Sequence, residues 1–438
     1  MRESSTHPGG VVLDGVRTRR AVAVSALVVV LIAAWSTGGA VAGAQVGSVP
    51  GVTPKEIRVG AVIGKTNPTG VAYEEVVQGA QARFQQINNK GGLFGRKLKF
   101  VASYDDQTRD SKSIAAARSL VEEDKVFAAF VASQNFAGAD TLVKAGTPTF
   151  GYNIQIQWSK GPNLFGAYGS YNCPDCPSVS PVYAAHQAGA KHVGVFAYGN
   201  APSSVDCAGA IRRGFDLWGP KVAVFDTSLA FGFSANDVSA ITQAMKDNQV
   251  DFVATCMDIQ GEVNLSKSLQ AAGVTGVKFY APQGYDAKTL KELGTSLDGF
   301  TFPIQFVPFE LAKGNQGMTD FVNAMNKLHL QPSENLLVGW VGAGLLAEGI
   351  KASGKKFTQQ SVVDAINQMT DWNADDTIHP VNWKTAHGPA APGEKGCFAY
   401  VTVKDGKFAP VYGQPGKPLI CFPENPYPAS LDSPTFIG

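Results

Sequence analysis

The sequence has no excess charge of either sign, since 37 Lys and Arg residues face 36 Asp and Glu residues. A nearly neutral chain has no net field that would attract nucleic acid or an anionic membrane surface. No cysteine precedes Cys173, so we expect no lipid-modified cysteine near the amino terminus. The charge balance therefore argues against nucleic-acid binding, and the cysteine positions argue against a lipoprotein.

Several motifs of catalytic and nucleotide-binding sites are also absent. The sequence has no Gly-x-x-x-x-Gly-Lys-Ser/Thr loop, no Gly-x-Ser-x-Gly turn and no His-Glu-x-x-His pair. The glycines of the first loop do not form a Gly-x-Gly-x-x-Gly pattern, so dinucleotide binding lacks support. His379 and His387 are eight residues apart across Pro380 and Gly388, and we interpret them as loop residues rather than metal ligands. We therefore predict a protein without enzyme activity, cofactor or metal.

Six cysteines, an even number, favour disulfides if the chain is exported. Cys207 lies on a predicted helix and Cys256 ends a predicted strand of the same domain, so these two residues are candidates for one bridge. Cys397 and Cys421 flank the carboxyl-terminal strands and are candidates for a second. The sequence thus indicates disulfides with a structural role.

The third pair of cysteines, Cys173 and Cys176, forms a Cys-x-x-Cys sequence. A redox-active site of this kind follows a strand and begins a helix, and neither element is predicted here. We therefore interpret the pair as a disulfide that closes a loop.

The amino terminus has the layout of a secretory signal peptide. Arg17, Arg19 and Arg20 precede the apolar segment Ala21 to Ala34, and small residues follow up to Ala44. We predict that residues 1–44 are a signal peptide and that the protein is exported to the extracellular space or cell envelope. The alternative is a retained membrane anchor, because Ala21 to Gly43 is nearly long enough to span a bilayer.

The chain is organised around residues 57–131, which alternate between strand and helix patterns. Ile57 to Ile63, Lys97 to Tyr104 and Val126 to Val131 are predicted strands, and the last is an apolar run typical of a strand buried on both faces. Ligands of open α/β sheets bind at the carboxyl ends of the strands. The loops Gly64 to Gly70 and Ala132 to Gly138 therefore are the first candidates for a binding site.

The same alternation begins again near His192, so the chain predicts two similar lobes. The predicted class is α/β, with two parallel-sheet, Rossmann-like lobes joined by a three-strand hinge that permits closure. The predicted crossings lie near Pro162 to Pro181, Phe300 to Val307 and Thr377 to Trp383. The predicted bounds are 55–165 plus 306–376 for lobe 1, 166–305 plus 377–412 for lobe 2, and 413–438 for an irregular tail.

The opening of the chain resembles the type I periplasmic binding proteins. The resemblance rests on a Pro/Gly loop after the first strand, the helix end Ile87 to Gly92, the turn Gly95 to Leu98, and the strand end Tyr104 to Asp106. The most similar branch is the solute-binding subunit of branched-chain amino acid ABC importers, and the similarity extends to about residue 410. The resemblance implies a monomer that binds a small polar or amphipathic molecule, amino acid-like or related, and delivers it to a membrane permease.

The resemblance also implies that polar groups at the strand ends of both lobes hold the ligand. By position these are Thr66, Thr69, Ser133, Gln134, Tyr152, Asn153, Asp258, Gln283 and Tyr285. Among them, Ser133 fits the carboxylate-binding hydroxyl of the family. Each also has a structural alternative: Ser133, Asn153 and Asp258 could cap helices or satisfy turns, and Tyr152 and Tyr285 could be packing aromatics.

One position departs from the resembling family. Its amino-acid-binding members carry an acidic residue where this chain has Gln283, which is neutral and can both donate and accept hydrogen bonds. Either Asp258 replaces that charge or the ligand is not an amino acid. Two other classes of function remain open: a sensor that signals to a membrane partner, and an α/β enzyme that uses the same cleft.

Overall fold

Apolar and amphipathic stretches alternate from Glu56 onward, and they form strands and helices in the same alternation. The structure, a computed structural model, describes residues 49–169, 176–234, 236–387, 396–422 and 430–438. These residues belong to one compact unit. The predicted signal peptide or anchor, residues 1–44, lies outside the described residues.

The first sheet has five strands, all parallel, in the order β2-β1-β3-β4-β5. They are β1 (Glu56–Ile63), β2 (Lys97–Asp105), β3 (Ala128–Ala132), β4 (Thr149–Gly151) and β5 (Leu164–Gly166). The central strand β3 is buried at every position, as its continuous apolar sequence predicts.

Helices connect the strands of both sheets. They are α1 (Glu75–Asn89), α2 (Asp110–Arg118), α3 (Ala139–Ala145), α4 (Ser180–Ala188), α5 (Pro202–Trp218), α6 (Ser239–Asp247), α7 (Ile259–Ala271), α8 (Ala287–Leu293), α9 (Gln316–Lys327), α10 (Glu334–Ser353) and α11 (Gln359–Ile366). Single turns of π or 3₁₀ helix occur at Ser119–Glu123, Ile156–Ser159, Gly294–Leu297 and Phe309–Gly314.

Helix α10 returns the chain to the first sheet after it has built most of the second. It packs against α1, α11 and β4. By length and composition α10 could span a membrane, but 78% of its apolar window is buried inside the protein. It is therefore a core helix, as its dense apolar and small residues predict. We call the first sheet with α1–α3 and α9–α11 lobe 1.

The second sheet, with α4–α8, forms lobe 2. Its strands are β6 (Val193–Tyr198), β7 (Val222–Leu229), β8 (Phe252–Cys256), β9 (Lys278–Tyr280), β10 (Phe300–Ile304), β11 (Cys397–Lys404), β12 (Lys407–Val411), β13 (Leu419–Cys421) and β14 (Thr435–Ile437). The order is β14-β13-β11-β10-β9-β8-β6-β7, with β12 paired to β11. Strands β6 to β10 run parallel, and those that follow are antiparallel additions to one edge. The predicted class, two parallel-sheet α/β lobes, is confirmed.

The prediction of an irregular tail at 413–438 is wrong in part, because β13 and β14 lie within it. Both strands are only three residues long and are held by pairing with β11 and with each other. So short a strand has no periodicity that a sequence could reveal, and the prolines around these strands indicated a loop.

Two of the predicted crossings lie beside each other. Phe306, just after β10, forms an antiparallel bridge with Ile378. The third crossing was predicted at Thr377 to Trp383, yet the Trp383 ring lies 5.1 Å from Phe165 of β5, and His387 lies 5.6 Å from the same ring. Residues up to His387 therefore pack on lobe 1, and the chain returns to lobe 2 later than predicted. The apolar Trp383 is the physical reason, since it is fully buried there.

The disulfides are those that the sequence indicated. Cys207 on α5 is bonded to Cys256 at the end of β8, and Cys397 of β11 is bonded to Cys421, its directly opposite partner on β13. Cys176 is also disulfide-bonded, and Cys173 lies outside the described residues. Each of the two fully described bridges joins elements within lobe 2.

Candidate ligand-binding site

The carboxyl ends of the central strands of lobe 1 meet at one edge of the sheet. Ile63 of β1 is level with Asp105 of β2 and with Ala132 of β3. The next residues on each strand, Gly64, Asp106 and Ser133, are therefore neighbours. A Cβ atom at Gly64 would lie 2.7 Å from the Ser133 hydroxyl, so the lack of a side chain there leaves room for this meeting.

Ser133 is already engaged by the protein. Its hydroxyl donates to Asp106 Oδ1 at 3.0 Å and accepts from the Asn135 backbone N–H at 3.1 Å, and its side chain is buried. Asp106 Oδ2 has no hydrogen-bond partner among the described residues. Burial raises the pKa of Asp106, against the lowering effect of hydrogen bonds from Thr108 and Ser133. Ser133 could donate to a ligand carboxylate only by releasing Asp106.

The loop after β1 is shaped by its own side chains. Thr66 donates from its N–H and hydroxyl to the two carboxylate oxygens of Asp105, at 3.1 and 2.7 Å. Thr69 donates to Asn67 Oδ1 at 2.9 Å and accepts from Gln134 Nε2 at 2.8 Å. The structure thus brings Thr69, Gln134 and Ser133 together and places exposed Thr66 on the β2 side of the loop.

Tyr152 and Asn153 follow β4 at the same edge. Tyr152 N donates to the Val131 carbonyl at 3.1 Å, and its side chain is only partly exposed. The ring of Tyr152 lies 6.2 Å from that of Tyr73, which precedes α1. Burial, and then the charge of Glu334, raise the pKa of the Tyr152 hydroxyl well above its usual value. Tyr73 and Glu334 were not predicted from the sequence as site residues.

In lobe 2, Asp258 follows β8 and caps α7. Its Oδ1 accepts from the N–H groups of Gln260 and Gly261 at 3.0 and 3.1 Å, and its Oδ2 accepts from the Tyr198 hydroxyl at 2.6 Å. The Tyr198 ring lies 4.3 Å from that of Phe231. Asp258 therefore does cap the helix, while its second oxygen lies among aromatic rings at the strand ends.

Tyr285 has the packing role that was its structural alternative. Its hydroxyl donates to Glu310 Oε2 at 2.7 Å and accepts from the Phe309 N–H at 2.8 Å, and its ring stacks on Phe309. Gln283 lies partly buried in the same loop. This loop reaches the other lobe, because Asp286 forms a backbone bridge with Ser333, the residue before α10.

The sequence analysis missed three side chains at the edge of lobe 1: Tyr73, Tyr168 and Glu334. Tyr168 lies just after β5, in the Gly/Tyr-rich run that was assigned only to a crossing. Glu334 follows Ser333, whose hydroxyl accepts from Leu336 N and caps α10; a helix start offers no sign that its first residue faces a cleft. Among the described residues, no group of three His, Cys, Asp or Glu side chains could hold a metal ion.

Two like α/β lobes, with polar and aromatic residues along facing strand ends, define a binding protein in which a ligand can be held between lobes. A model of the periplasmic binding protein family matches residues 56–407. The chain belongs to this family, as its opening residues predicted. Family members are transport binding proteins, so the chain is a solute-binding protein of the ABC transporter type, and membership implies export.

Solved structures of the same fold bind different ligands. The chain is similar to LivJ of Streptococcus pneumoniae, a branched-chain amino acid transporter protein in complex with isoleucine, with 16% identity, TM-score 0.66 and coverage of 81% of this chain and 99% of that one. A solute-binding protein of an ABC transporter from R. palustris, in complex with benzoate, has 20% identity, TM-score 0.64 and coverage of 81% of this chain and 95% of that one. A fatty acid ABC transporter substrate-binding protein from Thermomonospora curvata has 15% identity, TM-score 0.66 and coverage of 83% of this chain and 93% of that one. No curated protein matches the chain. These likenesses show the fold alone.

Proposed function

We propose that this protein binds a small polar or amphipathic solute, amino acid-like or related, between its lobes and delivers it to the permease of an ABC importer. The observation that carries the proposal is the bridge between Asp286 of lobe 2 and Ser333 of lobe 1. It brings the loop that contains Gln283 to the start of α10, and the charge of Glu334 in the first turn of α10 raises the pKa of Tyr152 in lobe 1. A solute in this place would contact both lobes.

The proposed contacts lie on both edges. In lobe 1 they are Thr69, Ser133, Gln134, Tyr152 and Asn153, and in lobe 2 they are Asp258 and Gln283. Thr66 and Tyr285 were also predicted to contact the ligand. Because both are held by hydrogen bonds to Asp105 and Glu310, we assign them to positioning the loops.

Closure of the two lobes around the solute couples solute binding to transport. Contacts that form only when both lobes touch the solute favour the closed arrangement, and the shift in population equals the difference in affinity between the two arrangements. The antiparallel bridge between Phe306, just after β10, and Ile378 of lobe 1 supports a hinge motion about one axis. We propose that the permease recognises the closed form and that the mature exported protein is a monomer.

Native mass spectrometry of the purified protein, followed by thermal-shift screening of amino acids, amides and aromatic acids, would identify a bound solute. A ligand in excess raises the melting temperature by mass action. For the best solute, we expect Tyr152→Ala to weaken binding at least ~10-fold, which is the loss of ~1.4 kcal/mol from one anchoring aromatic. Binding would be measured by calorimetry and closure by small-angle scattering.

Tyr104→Ala is the matched control, because Tyr104 lies on β2 and donates to Asp124, away from the proposed contacts. It should leave the affinity unchanged. Unchanged affinity in both Tyr152→Ala and Ser133→Ala would refute the site. Chemical turnover of the bound solute would instead favour the enzyme alternative.

A further inference from the structure

Three tyrosines and one carboxyl group come together at the cleft edge of lobe 1. Tyr73 precedes α1, Tyr152 follows β4, Tyr168 follows β5, and Glu334 begins α10. The rings of Tyr73 and Tyr152 lie 6.2 Å apart, and Tyr168 stacks on Phe306 of the hinge. The charge of Glu334 raises the pKa of all three tyrosine hydroxyl groups. We call these four side chains the tyrosine pocket.

Two hydroxyl groups of the tyrosine pocket, those of Tyr73 and Tyr168, lack an ordinary hydrogen-bond partner among the described residues. Tyr73 is 0% and Tyr168 is 5% exposed, yet neither hydroxyl has a hydrogen bond of ordinary geometry to any described residue. A buried hydroxyl without a partner costs roughly 1–3 kcal/mol. Such a cost is unusual in a finished core, and two of these hydroxyls in one place indicate a site that a ligand completes.

The pocket is also negative without a compensating cation. No Lys, Arg or His in the described part of the chain forms an ion pair with Glu334 or with Asp106, whose charge also acts on Tyr73. Burial raises the pKa of Glu334 to about 7, and a contact with Tyr168 lowers it only in part. The Glu334 side chain nevertheless keeps some solvent exposure, so a ligand in the cleft can reach it.

The facing lobe has the neutral Gln283 where the resembling family has an acid, and the Asp286 carboxylate of the same loop accepts from the Thr289 N–H at the start of α8. Asp286 is bridged to Ser333, so the loop with Gln283 lies beside the first turn of α10. Gln283 is neutral, and the nearest residue on the lobe 1 side of that bridge is Glu334. At this end of the cleft, Glu334 of lobe 1 is the acid whose charge raises the pKa of all three tyrosines.

Helix stability gives an alternative reason for an acid at this position, because a carboxylate in the first turn interacts favourably with the helix dipole. That effect explains the residue type at Glu334. It does not explain three tyrosines around the carboxyl group, or two buried hydroxyls without partners.

We propose that the tyrosine pocket binds an organic ammonium group of the solute, with Glu334 as its counter-charge and the faces of Tyr73, Tyr152 and Tyr168 as its walls. This inference rests on the proposed function and names the chemical class of its ligand. Aromatic faces attract a cation through the ring quadrupole, and a carboxylate attracts it more strongly inside a protein than in water. The tyrosine hydroxyl oxygens can accept from an ammonium that carries N–H groups.

The test compares cations with neutral molecules of the same shape. Choline and its neutral isostere 3,3-dimethylbutan-1-ol form one pair, and butylammonium and 1-butanol form the other. Calorimetry on the full mature protein should show tighter binding of the cation in at least one pair, by ~10-fold or more. Preference in the choline pair indicates recognition by ring faces, and preference confined to butylammonium indicates recognition through N–H groups.

Glu334→Gln should abolish this preference, because it removes the charge and keeps the shape. Glu348→Gln on the same helix is the matched control, since its exposed carboxylate pairs with Lys351 on the surface. It should keep the preference. An unchanged preference in Glu334→Gln would overturn the inference.

Choline has a permanent charge, so the pH dependence of its affinity reports on the protein alone. Binding requires ionised Glu334, so the affinity should rise ~10-fold from pH 6 to pH 8 in the original protein and stay level in Glu334→Gln. The titratable groups nearby are the three tyrosines, Glu75 on α1, Asp106 after β2, Asp286 and Lys288 of lobe 2, and His379 beside the Tyr168 backbone. An equal rise in both proteins would assign the titration to one of these groups and overturn the role of Glu334.

Failure of this inference differs from failure of the proposed function. Binding and closure with neutral or anionic solutes, unaffected by Glu334→Gln, would refute the ammonium pocket alone. Absence of closure with every probe and every screened solute would refute both.

Discussion

The contact between α1 and α10 depends on two glycines that bring the helix backbones together. A Cβ atom at Gly339 would lie 1.9 Å from the Val76 carbonyl oxygen and 2.7 Å from the Ala80 nitrogen. A Cβ atom at Gly79, on the facing helix, would lie 1.8 Å from the Leu336 carbonyl oxygen. The obstructing atoms are backbone, so no rotamer change can make room. Gly339→Ala must therefore separate the two helices.

The expected cost combines two opposing effects. Overpacking a close-packed core costs about 1–3 kcal/mol, and backbone obstruction places this site at the upper end. Alanine gains about 1 kcal/mol over glycine inside a helix. We therefore expect Gly339→Ala to lower the free energy of unfolding by ~2 kcal/mol.

Gly344 provides a control on the same helix. The nearest atom to a Cβ placed there is in the Trp372 ring at 3.5 Å, an ordinary contact distance. Gly344→Ala should therefore keep the propensity gain and raise the free energy of unfolding by about 0.5–1 kcal/mol.

Urea denaturation followed by circular dichroism measures both changes from the midpoint and slope. The two variants should differ by ~3 kcal/mol. Equal stability of Gly339→Ala and the original protein, or equal losses in both variants, would refute the packing argument.

Two further predictions concern the cross-link in lobe 2 and the buried carboxyl group. Replacing Cys207 and Cys256 by serine opens a loop with a sequence separation of 49, which should lower the free energy of unfolding by up to ~4 kcal/mol. Urea denaturation with and without reductant checks this. An equal effect of reductant on the original protein and on the double serine variant would contradict the prediction. Burial raises the pKa of Glu334 to about 7 from its ordinary value of 4.5, so the folded state binds the proton of Glu334 more tightly than the unfolded state does. The associated stability is present below about pH 4.5 and is lost as the pH rises through 7. Over this window the loss is up to ~3 kcal/mol, and Glu334→Gln should remove it, as denaturation at pH 5 and pH 8 would show; a variant that loses as much stability as the original protein would contradict this.

The sequence of the core helix α10, Glu334–Ser353, is typical of a buried helix, because local signals agree there. Ser333 is a favourable cap, the apolar positions are dense, and Gly354 ends the helix with a positive φ of 77°. The strands β1 and β3 were predicted for the same reason, since their apolar runs need only local residues to be recognised. The local sequence pattern was therefore sufficient to predict the alternation of strands and helices, and with it the class of fold.

The site depends on pairs of residues that are distant in sequence. Ser133 was predicted to bind a ligand carboxylate, but its hydroxyl donates to Asp106, which follows another strand. Tyr168 and Glu334 meet only because β5 and the start of α10 reach the same edge of lobe 1. Helix α8, Ala287–Leu293, was not predicted, because it is short and none of its residues is buried, so it lacks an apolar face. Predicting contacts between such distant residues requires the topology of the sheets as well as the local sequence pattern.

The charges at the two edges connect ligand binding to closure. Asp106 and Glu334 lie at the edge of lobe 1 and Asp258 at the edge of lobe 2, so closure without a ligand brings carboxylates toward each other. Two unit charges ~10 Å apart repel by about 0.4 kcal/mol in water and by about 1.7 kcal/mol at an effective dielectric constant of 20. Repulsion of this size favours the open arrangement by up to ~20-fold. An ammonium group between the edges would turn the repulsion into attraction, so a cationic solute would both remove the opposition to closure and supply its driving force.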